Sequence, residues 1–431
     1  MSAAAPSVSE VVNEVEKHVA ELCVTVKAAA RVLANTPKDQ IDRALGFVAE
    51  ELDQAREAIF AANRKDLEAG KAKGLSSAML DRLAIKEKTL ADMIDGVRQV
   101  ISLPNPVGET LKEWTQPNGI AIRKVRTPLG VIGIIYESRP NVTIDAAVLC
   151  LKTGNGVVLR GGSEAFHSNH ALATALRKGL ERGGIPADAV RVIGTVDRHA
   201  IAALCRQDKT VDVLIPRGGH GLIEAVVKEA RMPVIKHFHG VCYAYVHRDA
   251  DLGMAEEIIV NAKVQRPSAC NSIENLLVDR AVAATFIPRI VARLHKEKVE
   301  VRGDGETRQL GGSEVKEVTE ADWTTEYLDL ILSAAVVGDE SEAIAHIERY
   351  GSHHSDVIIT EDAKAAERFF QEIDSATVYW NASTRFTDGA QFGFGAEIGI
   401  STDKLHARGP MALEELTSYK YLITGNGQVR K

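Results

Sequence analysis

Residues 263–273, KVQRPSACNSI, hold the strongest chemical candidate in the chain, the thiol of Cys270. A thiolate is the most nucleophilic of the common side chains, and the small neighbours Ser268 and Ala269 leave a substrate room to approach it. Lys263 and Arg266 add positive charge, which favours the thiolate or holds an anionic substrate. A lone cysteine is as readily a small buried hydrophobe, so its surroundings must decide its role.

Two glycine-rich loops are the next candidates: RGGSEA at 160–165 and PRGGHG at 216–221. Each follows a strand-like run and opens a helical one, an arrangement that presents backbone N–H groups to a phosphate. Neither is the GxGxxG dinucleotide fingerprint, and either alone is as well explained by a tight turn. Two in neighbouring units, each with an arginine (Arg160, Arg217), favour a nucleotide cofactor. Asn141 follows a buried strand and its amide suits a developing oxyanion, although a residue after Pro140 is also a turn former. Arg139 suits a carboxylate or a phosphate. Histidines gather at 237, 239 and 247 and again at 346, 353 and 354. His237 and His239 would share one face of a strand, but no third ligand has convincing spacing, so no metal is expected. Asp322 and Glu326 precede a strand and can meet a ribose or simply be solvated.

These residues need elements to hold them. Residues 9–34, 38–63 and 64–103 repeat apolar positions at helical spacing and read as scaffold. From residue 118 the pattern changes to runs 120–126 and 129–136, the second (VIGIIY within it) apolar throughout, as in a strand of a parallel sheet. Strands at 156–160, 190–194, 211–215, 233–236 and 241–246 alternate with helices at 164–182, 197–206 and 220–230, a βαβ array that predicts a doubly wound sheet. A second α/β unit follows. It has helices at 252–263, 282–296 and 340–350, and strands at 274–279, 298–301, 329–337, 357–360 and 377–381. Residues 303–320 read as a loop, and residues 410–431 as a helix and a strand.

The composition narrows the function. A chain of 431 residues with 45% hydrophobic and 26% charged residues is globular and long enough for two or three domains. A net charge of −7 and 5% aromatic residues argue against nucleic acid as a partner. No apolar run approaches the roughly 20 residues of a membrane span, and the start lacks the features of a signal peptide. Five scattered cysteines without a CxxC pair fit a reducing compartment, so a cytoplasmic enzyme is expected.

Taken together, IIYESRPNVT, VVLRGGSEA, IPRGGHGLI, the Cys270 stretch, VGDESEAIAHIERYGSHHSDVI at 337–358 and FGFGAEIGISTDKLHARGP resemble the aldehyde dehydrogenase superfamily over nearly the whole chain. The similarity is greatest to a branch that reduces an acyl phosphate, L-glutamyl 5-phosphate, with NADPH in proline biosynthesis. The resemblance implies an aldehyde-dehydrogenase-like α/β fold. A Rossmann-type NADP-binding domain would span 1–108 and 128–240, a catalytic domain 241–409, and an oligomerisation element 109–127 with 410–431. It gives Cys270 the role of nucleophile and Asn141 that of oxyanion donor. Arg160, Ser163, Glu164, Arg217, Gly218, Gly219 and Glu326 become cofactor contacts. Arg139, Lys236, His237, Arg266 and Arg408 are candidates for holding the substrate. It also implies a homodimer or tetramer and a functional association with glutamate 5-kinase. Hydrolytic members carry a general-base glutamate where KHFHGV stands here, and His237 lies near that position. That departure favours an acyl donor whose leaving group is phosphate. The alternatives are a CoA-acylating or hydrolytic aldehyde dehydrogenase and, in another class, a metal-dependent hydrolase or metal-binding module.

Overall fold

Val131–Tyr136 is buried at all six positions, as its unbroken apolar sequence predicts for a strand covered on both faces. In the computed structural model, which describes residues 8–137 and 139–430, this strand lies within a four-stranded parallel sheet. Gly156–Arg160 pairs with one edge of it and Val213–Arg217 with the other, and Val190–Val192 lies beyond Gly156–Arg160. The chain steps outward through the first three strands and then returns to the far side of Val131–Tyr136. Strand order therefore reverses beside that strand, the place where open α/β sheets bind ligands at their carboxyl ends. Val131 and Ile135 face a core made with Val19, Leu22 and Val26 of helix Val8–Leu33 and Ala203 and Leu204 of His199–Cys205. The helical first quarter is thus scaffold against this sheet.

The chain forms two compact units. The first comprises Met1–Lys236, Gly393–Gly399 and Met411–Lys431. It also holds an antiparallel sheet in which Ala121–Pro128 is flanked by Thr110–Thr115 and Thr417–Thr424. The second comprises His237–Phe392 and Ile400–Pro410. Its sheet has seven parallel strands in the order Val315–Glu317, Glu300–Gly303, Ile331–Val337, Ile273–Asp279, Cys242–Val246, Ser355–Ile359 and Thr377–Trp380. Cys242, Ala244 and Val246 face one core of this unit, and Tyr243 and Tyr245 face the other, the period-two alternation of a central strand.

Several expectations change. The helix expected over 38–63 is two, Lys38–Gln54 and Arg56–Ala72, meeting at Ala55. The strand expected at 233–236 is reduced to one bridge, Leu214 to Val234. Residues 241–246 do not complete the first sheet but lie in the middle of the second. The expected loop at 303–320 contains helix Gly305–Gly311 and strand Val315–Glu317. There Asp304 caps the helix by accepting the Thr307 amide at 2.8 Å. The tail forms a strand, Thr417–Thr424, and among the described residues no helix.

Candidate active site

Cys270 is half-buried on a series of turns between helix Leu252–Val264 and strand Ile273–Asp279. Local bonds fix these turns: the Ala269 amide donates to the Arg266 carbonyl, the Ser272 amide to the Ala269 carbonyl, and the Ser272 hydroxyl to the Ala262 carbonyl at 3.0 Å. Asn271 is pinned next to the thiol. Its Nδ2 donates to the Thr387 carbonyl at 2.8 Å, and its own carbonyl accepts from the Thr384 hydroxyl at 2.6 Å. On the other side the chain passes so close at Gly240 that a Cβ there would lie 2.6 Å from the carbonyl carbon and the Cα of Cys270. Only glycine leaves that space.

Two imidazoles share this site. Sγ of Cys270 and one ring nitrogen each of His237 and His354 lie within 4.8 Å of one another. The His237 Nδ1 donates to the Ile400 carbonyl at 2.9 Å, the tautomer that leaves the lone pair on Nε2. His354 is fully buried beside Ser355 and Cys242. The Cys242 thiol donates to the Cys270 carbonyl at 3.2 Å, and burial drives its pKa well above the ordinary thiol range, so this second sulfur is inert. Arg385 is half-buried, its Nε donating to Gln265 at 2.8 Å. Burial and then the neighbouring Arg266 push its pKa down, while Cys270 pulls it up, so two guanidinium groups and the thiol act on one another here. Two positive charges therefore stand near the Cys270 thiol. Glu326 accepts from the Gly240 amide at 2.9 Å, with its other oxygen 3.8 Å from His239.

In the first unit, a cavity of about 820 Å³ lies at the carboxyl ends of the four-stranded sheet. Tyr136, Glu137, Arg160, Gly162, Ser163, Glu164 and Arg198 line it, together with Leu222 from helix His220–Glu229. The Arg160 guanidinium donates to the Gly161 carbonyl at 2.6 Å and to the Val196 carbonyl at 3.3 Å, while its buried Nε has no partner. Burial lowers its pKa, and the Glu164 carboxylate opposes that fall. A phosphate would supply the missing acceptor. A dinucleotide therefore fits these residues in size, place and charge. Arg217 ends its strand with its carbonyl accepting the Glu137 amide, and the Glu137 carboxylate accepts from the Gly219 amide at 3.0 Å. Asn141 stands at the start of helix Val142–Lys152 and donates to Asp145 at 2.8 Å; burial pushes that carboxyl up to about 6.

Among the other sequence candidates, Arg139 and Arg266 are exposed and Lys236 is half-buried. Arg408 is turned to Asp374, donating to its carboxylate at 2.7 Å and to its carbonyl at 2.9 Å. Asp322 is buried under Arg302, Tyr327 and Thr319, a set of bonds that ties the sheet together. His239 and His247 do not join the cluster around Cys270. Residues that sequence reasoning did not assign are His354, Arg385, Gly240 and Arg198. The doubled histidine at 353–354 marked the first; nothing local marked the others.

A match to the aldehyde dehydrogenase family spans residues 3–313. A protein named gamma-glutamyl phosphate reductase from Moorella thermoacetica is 53% identical over 94% of this chain and 97% of its own. One of the same name from Paramagnetospirillum magneticum is 51% identical over 94% and 95%. The crystal structure of gamma-glutamyl phosphate reductase from Thermotoga maritima superposes with a TM-score of 0.95 at 46% identity, covering 96% of this chain and all of that one.

Proposed function

We propose, since the chain belongs to the aldehyde dehydrogenase family, that it reduces L-glutamyl 5-phosphate to L-glutamate 5-semialdehyde and phosphate, the second step of proline biosynthesis from glutamate. The observation that carries this reading is identity at about half of all positions, over nearly the whole of both chains, with relatives named for that reaction. The site supports it with a thiol flanked by imidazoles and guanidinium groups.

Cys270 attacks the acyl carbon and forms the C–S bond of a thioester as the C–O bond to phosphate breaks. The thiol loses a proton in this step and the departing phosphate oxygen needs one. His237, with its Nε2 lone pair kept by the bond from Nδ1 to Ile400, takes the first proton and returns it to the second position. Arg266 and Arg385 hold the anionic substrate, and Asn141 keeps the oxyanion role that family resemblance gives it. A nicotinamide cofactor, when bound, supplies the hydride that reduces the thioester. Cys270 then leaves as thiolate from the thiohemiacetal, and a proton from solvent restores the thiol for another turnover.

The cofactor is NADPH, held by Arg160, Ser163, Glu164 and the Arg217-Gly218-Gly219 loop, with Arg160 and Arg198 meeting the 2′-phosphate. Glu326 is assigned to the nicotinamide ribose. Tyr419, Tyr421 and Ile423, exposed on Thr417–Thr424, make that strand the contact of a homodimer or tetramer. No helix of the described residues is long and apolar enough to cross a membrane. We place the enzyme in the cytoplasm, in functional association with the glutamate 5-kinase that makes its labile substrate.

Oxidation of L-glutamate 5-semialdehyde by NADP⁺ tests the reading, because the reverse direction avoids the acyl phosphate. NADPH formation should require added phosphate. Equal rates without phosphate would show that water resolves the thioester and that the enzyme is a hydrolytic dehydrogenase.

A further inference from the structure

Cys270, His237 and His354 reach their cluster from three separate stretches: the turns behind Leu252–Val264, the loop after residue 236, and the approach to strand Ser355–Ile359. Each imidazole is already fixed through its Nδ1, His237 on the Ile400 carbonyl at 2.9 Å and His354 on the Ser355 hydroxyl at 2.8 Å. Metal-binding imidazoles are oriented in this manner, by a bond from the nitrogen that does not ligate. His354 is 0% exposed, and its buried Nε2 has no hydrogen-bond partner. In the tautomer whose Nδ1–H donates to the Ser355 hydroxyl, Nε2 carries an unpartnered lone pair in the interior, a cost that a cation would relieve.

We propose that Cys270, His237 and His354 bind one Zn²⁺ ion, with solvent as the fourth ligand, and that the ion silences the enzyme reversibly by occupying the thiolate. One thiolate and two neutral imidazoles suit zinc and discriminate against magnesium and calcium, which take oxygen ligands. Tetrahedral bonds of about 2.0–2.3 Å require ligand atoms about 3.5 Å apart. The cluster, now within 4.8 Å, therefore has to close by about 1 Å. Rotation of the half-buried Cys270 side chain brings the sulfur in, and His237, half-buried on its loop, moves the remainder towards the buried His354. Arg266 and Arg385 beside the thiol repel a cation and set the affinity of an inhibitor and not of a resident metal. Metal binding is independent of the substrate; only the silencing rests on Cys270 being the nucleophile.

Zn²⁺ titrated into the full chain in competition with a chromophoric chelator should show one equivalent bound. Alkylation mapped to Cys270 should slow with zinc and recover with chelator. Cys270→Ser, which changes one atom of a half-buried side chain, should weaken binding by at least about tenfold, and so should His237→Asn and His354→Asn. Zinc bound equally by the wild type and Cys270→Ser would overturn the site, as would a wild type that binds no stoichiometric ion. Because the titration uses no substrate, its failure is distinguishable from failure of the reductase reading.

Discussion

Replacing Lys263 by methionine should destabilise the second unit far more than replacing Lys263 and Glu274 together. Lys263 Nζ lies 2.5 Å from Glu274 Oε2, and both side chains are 0% exposed. The other Glu274 oxygen accepts from the Leu328 amide at 3.3 Å. Lys263 ends the helix before the Cys270 turns and Glu274 begins the strand after them, so the pair clamps both ends of that stretch. Burial pushes Glu274 up to about 7 and Lys263 down, with each partner opposing the change in the other. Removing only the lysine leaves a buried carboxylate without a counter-ion, at a cost of about 3–5 kcal/mol. At about 2–4 °C per kcal/mol for a unit of this size, the thermal midpoint should fall by about 6–20 °C. Lys263→Met/Glu274→Leu removes both charges, and its midpoint should lie within a few degrees of the wild type or above it. Scanning calorimetry at pH 8 makes the comparison. Burial raises the folded Glu274 pKa to about 7 even with Lys263 opposing it, and loss of Lys263 raises it further, so the penalty is absent below about 4.5 and grows as pH rises through 7. The deficit of Lys263→Met should therefore shrink towards pH 5. A double variant that falls as far as the single one would refute this reasoning, since the pair would then stabilise by attraction alone.

Asp356 offers a second pH test. It is wholly buried, accepts from the Tyr243 amide at 2.8 Å and the Ser375 hydroxyl at 2.5 Å, and is pushed by burial up to about 7. The fold therefore disfavours its charge, and stability is lost as pH rises from 3.8 towards 7. Asp356→Asn should gain thermal midpoint over the wild type at pH 8 but not at pH 4; an equal difference at both pH values would contradict the buried charge. Gly240→Ala places a methyl against the Cys270 backbone, and the resulting shift should lower kcat by about 100-fold. A kcat near that of the wild type would mean the turns around Cys270 tolerate movement. Arg160→Leu should raise KM for NADPH by about 10–100-fold, the loss of a charged hydrogen bond, while KM for NADH stays constant. An equal rise for both cofactors would make Arg160 a structural residue and not a reader of the 2′-phosphate.

The strand Val131–Tyr136 was legible because a run such as VIGIIY has no exposed position to explain. The helix at Gly305–Gly311 was not, because Gly303, Gly305, Gly311 and Gly312 outweighed the Asp304 cap that starts it. Thr110–Thr115 was missed for another reason: it is largely exposed and has no apolar alternation, so only its partner Ala121–Pro128 makes it a strand. Around Cys270 the sequence displayed residue types that can do chemistry, including His237. It did not display their company. His354 meets Cys242 from 112 positions away, and Gly240 matters because of the backbone it touches, which no local pattern encodes. Arg408 illustrates the converse. Family resemblance offers it to the substrate, and the structure gives its guanidinium Asp374 as a partner.

The first unit is assembled from three lengths of chain, with the whole second unit written between them. Arg126 reaches Thr417 across 291 positions, and Ala121–Pro128 gains its second partner strand only from residues 417–424. During synthesis the earlier strands must therefore wait, one edge unpaired, while the second unit emerges and folds. Such an edge is a template for pairing with other chains. The order of the sequence thus makes the interval between residues 128 and 417 the period when nascent chains are most open to chaperones and to misassembly with one another.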